Sequence, residues 1–169
     1  QGFTHHPGAH CGSTALSNLA RFHGHPLTEP LCFGIGEGLG FTSVALPGLS
    51  PSHLAMGRNR FLEERFFHNL GIPFEWIRSP DAGEAWRAAR EAIDRNVPVL
   101  LRTDLRYLPY YQSKTHFSGH VVVLAGYDEE VAYLSDTAFE ELQTTTLESL
   151  RRARHSDHPV FPLAGHLIE

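Results

Sequence analysis

The stretch Gly8–Phe22, GAHCGSTALSNLARF, places a cysteine at the point where a loop becomes a helix. Apolar residues with helical spacing, among them Leu16 and Leu19, begin directly after it, and Gly24 stands where helices commonly end. Cys11 is therefore predicted to lie at a helix N-terminus, where unsatisfied N–H groups and partial positive charge favour a thiolate. Taken alone, it is either a small buried residue, a metal ligand or a nucleophile.

The remaining pattern predicts helices in the first half of the chain and antiparallel strands in the second. This order is typical of an α+β protein rather than of alternating βαβ units. Residues 26–57 are rich in Gly and Pro, so we expect loops there apart from one short helix. Thr145 with Glu148 resembles a capping box. The predicted helices are 12–23, 29–33, 58–70, 79–95 (capped by Ser79 or Asp81) and 145–154, and the predicted strands are 73–78, 97–104, 120–128 and 131–136.

The last two predicted strands are joined by a short loop and are expected to form a hairpin. If the loop is 128–130, Tyr127 faces Val131 and Asp136 lies opposite Val122. Because side chains alternate, His120 and Asp136 become diagonal neighbours roughly 7 Å apart at Cβ. A slip of one residue would separate them onto opposite faces. In the expected register, a carboxylate would orient an imidazole whose other nitrogen is left for a thiol.

Composition excludes several classes of protein. The chain has 169 residues and a net charge of -5, so it is long enough for one domain and lacks the basic surface that nucleic acids select. No apolar run reaches the length of a membrane span, and no signal peptide is evident. We therefore expect a cytoplasmic protein that binds neither nucleic acid nor membrane. The two cysteines, Cys11 and Cys32, make a disulfide framework improbable, and Cys32 is expected to be buried and inert.

Several blocks together resemble the N-terminal domain of the butirosin biosynthesis protein H family, which is similar to papain-like cysteine proteins of the bacteriocin-leader-peptidase type. The blocks are HCGSTALSNLARFHGHPLTEPLCFGIGEGLGF, GRN, VPVLLRTDLRYLPYY and GHVVVLAGYDEEVAYLSD, within residues 8–155. The resemblance implies a papain-like fold of N-terminal helices packed on an antiparallel sheet. It also implies that residues 1–169 are one domain, the N-terminal module of a longer family layout.

The activity implied by the family's namesake is acyl transfer from an acyl carrier protein thioester to an aminoglycoside amine. Carried over, Cys11 would be the acylated nucleophile, His120 the base and Asp136 the residue that orients it. The partners would be an acyl carrier protein with a phosphopantetheine-bound acyl group and a small-molecule amine. No cofactor and no metal are expected. A cationic cluster, Arg87, Arg90 and Arg95 or Arg151, Arg152 and Arg154, would have to receive an acidic carrier protein.

Further residues are expected to line the substrate site. The Gly12 amide is a candidate for the oxyanion site, and the aromatic loop 104–117 would supply Asp104, Tyr110 and His116. Papain-like enzymes generally carry a glutamine about six residues before the cysteine, where this chain has His5. His5, His6 or His10 would have to donate in its place, or Gln1 would fold back.

Other interpretations stay open at this point. His5, His6, His10 and Cys11 are ligand types that zinc accepts, although their spacing is not that of a zinc site. The stretch 34–40, GIGEGLG, follows a helix rather than a strand, which argues against a dinucleotide fingerprint. A non-catalytic binding or scaffolding module of the same fold, or a leader-peptide-type cysteine peptidase, remains the alternative function.

Overall fold

The computed structural model describes residues 2–48, 50–58, 61–158 and 162–169. Two 3-10 turns, Leu105–Tyr107 and Pro109–Tyr111, lie within the 104–117 loop. The helices are α1 Cys11–Phe22, α2 Glu29–Ile35, α3 Leu62–Asn69, α4 Ala82–Asp94 and α5 Leu147–Arg154. The strands are β1 Leu39–Ala45, β2 His53–Arg58, β3 Val99–Thr103, β4 His120–Tyr127, β5 Val131–Ser135, β6 Gln143–Thr146 and β7 Leu167–Ile168.

Five strands form one antiparallel sheet in the order β6-β5-β4-β3-β7. Because side chains alternate along β4, Val121 and Val123 pack in the apolar cluster that contains residues of α1 and α3. Val122 and Leu124 point to the opposite face, into the cluster that contains residues of α4 and α5. The predicted α+β fold, with N-terminal helices on an antiparallel sheet, is confirmed.

The helix boundaries follow their capping residues. Asp81, one of the two predicted caps, accepts a hydrogen bond from the Glu84 N–H at 2.8 Å and starts α4. The predicted capping box at Thr145 is wrong by one residue, because β6 continues through Thr146, whose hydroxyl accepts from the Ser149 N–H. Within the described residues, no helix is both long and apolar enough to cross a membrane.

Two expectations about strands are corrected. The segment 37–57, expected to be loop, contains the antiparallel hairpin of β1 and β2. Exposed residues predominate along β1, so there is no one-sided apolar pattern from which a strand could be recognised. The strand expected at 73–78 is reduced to a single bridge between Ile77 and Leu167. The helix expected from 58 begins at Leu62, and positions 59 and 60 lie outside the described residues.

The β4–β5 hairpin has two registers separated by a bulge. Near the loop, Tyr127 faces Ala132, one residue away from the predicted pairing. A β-bulge between Leu124 and Gly126 absorbs this offset, and beyond it Val123 faces Ser135. This second register is the one that the sequence predicted for the end of the hairpin carrying His120 and Asp136.

Candidate active site

The loop before α1 is fixed by one carboxylate of α2. Glu29 accepts hydrogen bonds from the N–H groups of Ala9 and His10 at 2.8–3.0 Å. It also accepts from the hydroxyls of Ser13 and Thr14 at 3.1 and 3.0 Å. Although burial opposes ionisation, these donors lower the pKa of Glu29. The carboxylate therefore ties the preceding loop to the first turn of α1, the turn that presents Cys11.

His10 caps the helix that Cys11 begins. It has an extended backbone, and its ring accepts from the Ser13 N–H at 3.3 Å, which satisfies one of the free donors of the first turn. The ring also contacts Phe33 of α2 edge-on, with centroids 5.3 Å apart. These contacts give His10, predicted to line the substrate site, a role in fixing the first turn of α1.

The Cys11 thiol and the His120 imidazole interact directly, and each shifts the pKa of the other. Burial opposes thiolate formation, but the hydrogen bond and charge of His120, with the Val121 N–H, outweigh it and lower the pKa of Cys11. For His120, burial disfavours the charged ring, yet hydrogen bonds to Asp136 and Cys11 raise its pKa to about 9. Both shifts favour the thiolate–imidazolium form of the pair.

Asp136 completes a chain of hydrogen bonds. His120 Nε2 donates to Asp136 Oδ2 at 2.9 Å, which leaves Nδ1 for the thiol. The hydroxyls of Tyr110 and Tyr111 donate to Oδ2 and Oδ1 of the same carboxylate, each at 2.8 Å. The structure thus brings Cys11, His120 and Asp136 together. It places Tyr110, predicted to bind substrate, against Asp136 instead.

Gly12 lies against a buried carboxylate. A Cβ atom at Gly12 would come 2.5 Å from Oε1 of Glu63, which is itself 6% exposed. Arg102 Nη2 lies 3.6 Å from Oε2 of Glu63, and the Arg102 guanidinium stacks 4.2 Å above the Trp76 ring. A side chain at position 12 would therefore displace the Glu63 carboxylate. The amide of Gly12 lies in the first turn of α1, as expected for an oxyanion donor.

His5, which occupies the usual glutamine position, is fully engaged elsewhere. Its Nε2 donates to the Phe139 carbonyl at 2.7 Å. Since a neutral imidazole carries one N–H, its Nδ1 accepts from the Ser135 hydroxyl, also at 2.7 Å. The Asn18 amide donates to the same hydroxyl and to the His6 carbonyl. The His5 ring thus joins the N-terminal segment to β5, and it is not available in this arrangement to replace the glutamine.

Asp104 and His116, expected to bind substrate, form a separate cluster. The Asp104 carboxylate is completely buried and accepts from His116 Nδ1 and the Ser156 hydroxyl, both at 2.6 Å. The backbone N–H groups of Arg106 and Phe117 also donate to it. With these donors in place the carboxylate anchors the 104–117 loop and has no exposed surface for a substrate amine, which corrects the expectation for Asp104.

The second cysteine, Cys32, differs from Cys11 in its burial and in the direction of its pKa shift. Cys32 is fully buried in the α1–α3 cluster, and burial raises the pKa of its thiol to about 11. Both cysteines are free, and Cys11 is partly exposed. Among the described residues, no group of three His, Cys, Asp or Glu side chains is placed to hold a metal ion.

Sequence reasoning missed three parts of the site: Tyr111 as a donor to Asp136, Glu29 as the anchor of the loop and Glu63 beside Gly12. Tyr111 lies within a Tyr-Tyr pair in the singled-out aromatic loop, and that pair was a usable signal. Glu29 and Glu63 carry no such signal, because each is a first-turn glutamate of a helix, where acidic residues are common.

The fold and this arrangement of Cys, His and Asp define a papain-like architecture, and comparisons with known proteins agree. The structure is similar to the crystal structure of a Bacillus anthracis protein assigned as a C39-like peptidase. The TM-score is 0.63 at 15% identity, over 94% of this chain and 86% of that one. No curated protein matches the chain in sequence. The family model of the butirosin biosynthesis protein H N-terminal domain matches residues 10–137. The chain belongs to that family.

Proposed function

We propose that this chain is a cysteine-dependent acyltransferase that moves an acyl group from a thioester to an amine in a biosynthetic pathway. The observation that carries the proposal is the series Cys11, His120 and Asp136, in which the thiol at the start of α1 interacts with an imidazole that is hydrogen-bonded to a carboxylate. A lowered thiol pKa beside an imidazole that is itself oriented by a carboxylate is the arrangement of an activated nucleophile.

In the first half-reaction the Cys11 thiolate attacks the thioester carbonyl and a new carbon–sulfur bond forms. N–H groups in the first turn of α1, including that of Gly12, stabilise the developing oxyanion. The bond from carbon to the donor sulfur then breaks, and the leaving thiolate takes the proton of the His120 imidazolium. Cys11 is left acylated and His120 neutral.

In the second half-reaction an amine attacks the acyl-enzyme. His120 accepts the amine proton, the amide bond forms and the bond to Cys11 breaks, which restores the thiolate and imidazolium. Asp136, with its donors Tyr110 and Tyr111, holds the His120 ring in one orientation through both steps. Water in place of the amine would give a hydrolase.

The donor we propose is an acyl group on the phosphopantetheine arm of an acyl carrier protein, and the acceptor is a small-molecule amine. Both follow the activity of the family's namesake. We place the reaction in the cytoplasm, where free thiols such as those of Cys11 and Cys32 stay reduced.

The decisive experiment is intact-mass spectrometry after incubation with the butyryl thioester of N-acetylcysteamine. We expect one butyryl adduct on the wild type and on Cys32→Ser, and none on Cys11→Ser. Adding an amine should remove the adduct faster than buffer alone and yield the amide. An unmodified wild-type protein whose Cys11 also reacts slowly with iodoacetamide would contradict the proposal and favour a non-catalytic binding module.

A cysteine peptidase is the second candidate, and the likeness to the structure assigned as a C39-like peptidase favours it. A panel of peptides with and without a double-glycine site separates the two functions. Cleavage that depends on Cys11, without amide formation from thioester and amine, would establish the peptidase.

A further inference from the structure

Three cationic side chains share a groove between the loop after β3 and helix α5. The groove has a volume of about 320 Å³, and its lining includes Arg106, Tyr107, Ser113, Lys114, Ser149 and Arg152. All three cations are exposed. The chain as a whole is acidic, with a net charge of -5, so a general excess of basic residues does not account for the cluster.

Both guanidinium groups are held by neutral partners. Arg106 donates through Nη1 to the carbonyl oxygen of Lys114. Arg152 lies 4.5 Å above the Tyr107 ring, in cation–π contact. These contacts restrict both side chains, so less conformational entropy is lost when an anion binds. The Glu148 carboxylate interacts electrostatically with Arg152, although its hydrogen bonds go to Arg151.

Four other arginines of the described chain are paired with carboxylates. Arg65, Arg95, Arg102 and Arg151 each lie against a carboxylate. Glu148, one turn before Arg152, directs both oxygens to Arg151 at 2.7 and 2.6 Å. No ion pair joins a carboxylate within residues 2–48, 50–58, 61–158 and 162–169 to Arg106, Lys114 or Arg152.

This arrangement also changes the basic cluster expected from the sequence. Arg154 does not reach the surface: it is 2% exposed and donates to the carbonyls of Ala85 and Gly165 at 3.2 and 3.0 Å. Arg151 is paired with Glu148. Of Arg151, Arg152 and Arg154, only Arg152 lines the groove. Arg106 and Lys114, from the loop after β3, line it as well.

We propose that this groove binds the phosphate group of a small phosphate ester. Two guanidinium groups and an ammonium match the double charge and several acceptor oxygens of a phosphate, and the hydroxyls of Ser113 and Ser149 lie in the same lining. A volume of about 320 Å³ corresponds to roughly ten water molecules. That is more room than the anion alone needs, and the excess accommodates the organic part of the ester.

The site does not depend on the reaction at Cys11, and binding is therefore the measurement that tests it. The protein is titrated with glycerol 3-phosphate, inorganic phosphate and glycerol at constant ionic strength, and binding is followed in 1H–15N correlation spectra. Saturable shifts are expected at residues 106–114 and 149–152 with glycerol 3-phosphate, and none with glycerol. Inorganic phosphate should shift the same signals with lower affinity.

Three variants with equal charge change complete the experiment. Arg152→Gln and Lys114→Gln should each weaken glycerol 3-phosphate binding, by about tenfold for the arginine. Arg87→Gln, on the exposed face of α4, should leave the affinity within about twofold. Lys114 has an exposed side chain, so its replacement tests the site even if Arg152→Gln unfolds the protein.

Two results would overturn the proposal. Shifts that do not saturate, or that weaken as much in Arg87→Gln as in Lys114→Gln, would show general electrostatic attraction. Equal affinity for inorganic phosphate would overturn the assignment to an ester and identify the free anion as the ligand.

Discussion

The Nε2 atom of His120 lies 2.9 Å from Oδ2 of Asp136, a carboxylate that is 1% exposed and also accepts from Tyr110 and Tyr111. The Tyr111 ring meets the His120 ring edge-on at a centroid distance of 5.4 Å. Three hydrogen-bond donors therefore hold the Asp136 carboxylate in place, and the Tyr111 ring packs against the His120 imidazole. The aromatic loop acts behind the imidazole, by fixing the group that orients it.

The pKa values of Cys11 and His120 predict a bell-shaped pH profile for thioester turnover. Because the pKa of Cys11 is lowered, kcat/KM should rise with thiol ionisation on the acidic limb. It should fall on the alkaline limb as pH passes about 9, where His120 loses the proton that the leaving thiol needs. The two apparent values belong to the coupled pair.

Iodoacetamide labelling measures the ionisation of the Cys11 thiol, and with it the origin of the acidic limb, without any thioester turnover. In His120→Ala the midpoint of Cys11 labelling should rise to or above the ordinary thiol value of about 8.5, since the charge and hydrogen bond of His120 are lost. An unchanged midpoint in that variant would refute the thiolate–imidazolium pair.

Removing one tyrosine hydroxyl should move the alkaline limb. In Tyr111→Phe, Asp136 loses a donor that shares its negative charge, so the carboxylate holds the imidazolium proton more strongly. We expect the alkaline limb of kcat/KM to shift to higher pH and kcat to fall by up to about tenfold. Tyr133→Phe is the matched control, because the Tyr133 hydroxyl donates to Asp128 at the far end of the hairpin.

An equal shift in Tyr133→Phe would mean that the hydroxyl effect is not local. A fall in kcat with no movement of the limb would mean that Tyr111 contributes only to packing.

Glu29→Gln should loosen the loop before the nucleophile. The amide retains one acceptor oxygen but replaces the other with a donor. At the Oε2 position this donor faces the Ala9 N–H, and at the Oε1 position it faces the N–H groups of Ala9 and His10. We expect the free energy of unfolding to fall by about 1–3 kcal/mol. Urea denaturation measures the loss, and iodoacetamide labelling should show slower reaction of Cys11.

The effect of Glu29 should also depend on pH. Because its pKa is lowered in the folded protein, the stabilisation is present above its ordinary pKa and is lost as pH falls through the lowered value. Wild type and Glu29→Gln should therefore converge in stability at low pH. Glu37→Gln, at an exposed position paired with Arg65, is the control and should change stability little.

Gly12→Ala should disturb the first turn of α1. Its Cβ would lie 2.5 Å from Glu63 Oε1, so the variant should lose about 1–3 kcal/mol of stability by overpacking. In the double variant Gly12→Ala with Glu63→Ala, the shorter side chain at position 63 should recover part of that loss. Gly34→Ala, in α2 with open space around it, should instead be stabilised by about 0.5–1 kcal/mol. Thermal unfolding of the three variants decides between these outcomes.

The sequence predicted the pairing at the end of the hairpin that carries His120 and Asp136, but it did not predict the one-residue offset near the loop or the bulge between Leu124 and Gly126 that absorbs this offset. The place of Cys11 at the start of α1 was predictable because apolar residues with helical spacing begin directly after it and Gly24 marks the other end of the helix. Both predictions rest on contacts near in sequence or on one regular ladder.

The partners of Asp104 and Asp136 were not predictable in the same way. Tyr110 and Tyr111 reach Asp136 from 26 and 25 residues away, and Ser156 reaches Asp104 across 52 residues. Such contacts depend on how the 104–117 loop and α5 pack on the sheet, and no periodicity records that packing. The mostly exposed residues of β1 likewise give no indication of the hairpin that they form.

The bulge between Leu124 and Gly126 separates the hairpin into two parts whose lengths can vary independently. A change of one residue near the 128–130 loop can be absorbed there, so the alternation that brings His120 to Asp136 need not be altered. The distal half of the hairpin is therefore the natural place to attach a fluorophore or to insert a short tag, since the end that carries His120 and Asp136 retains its pairing.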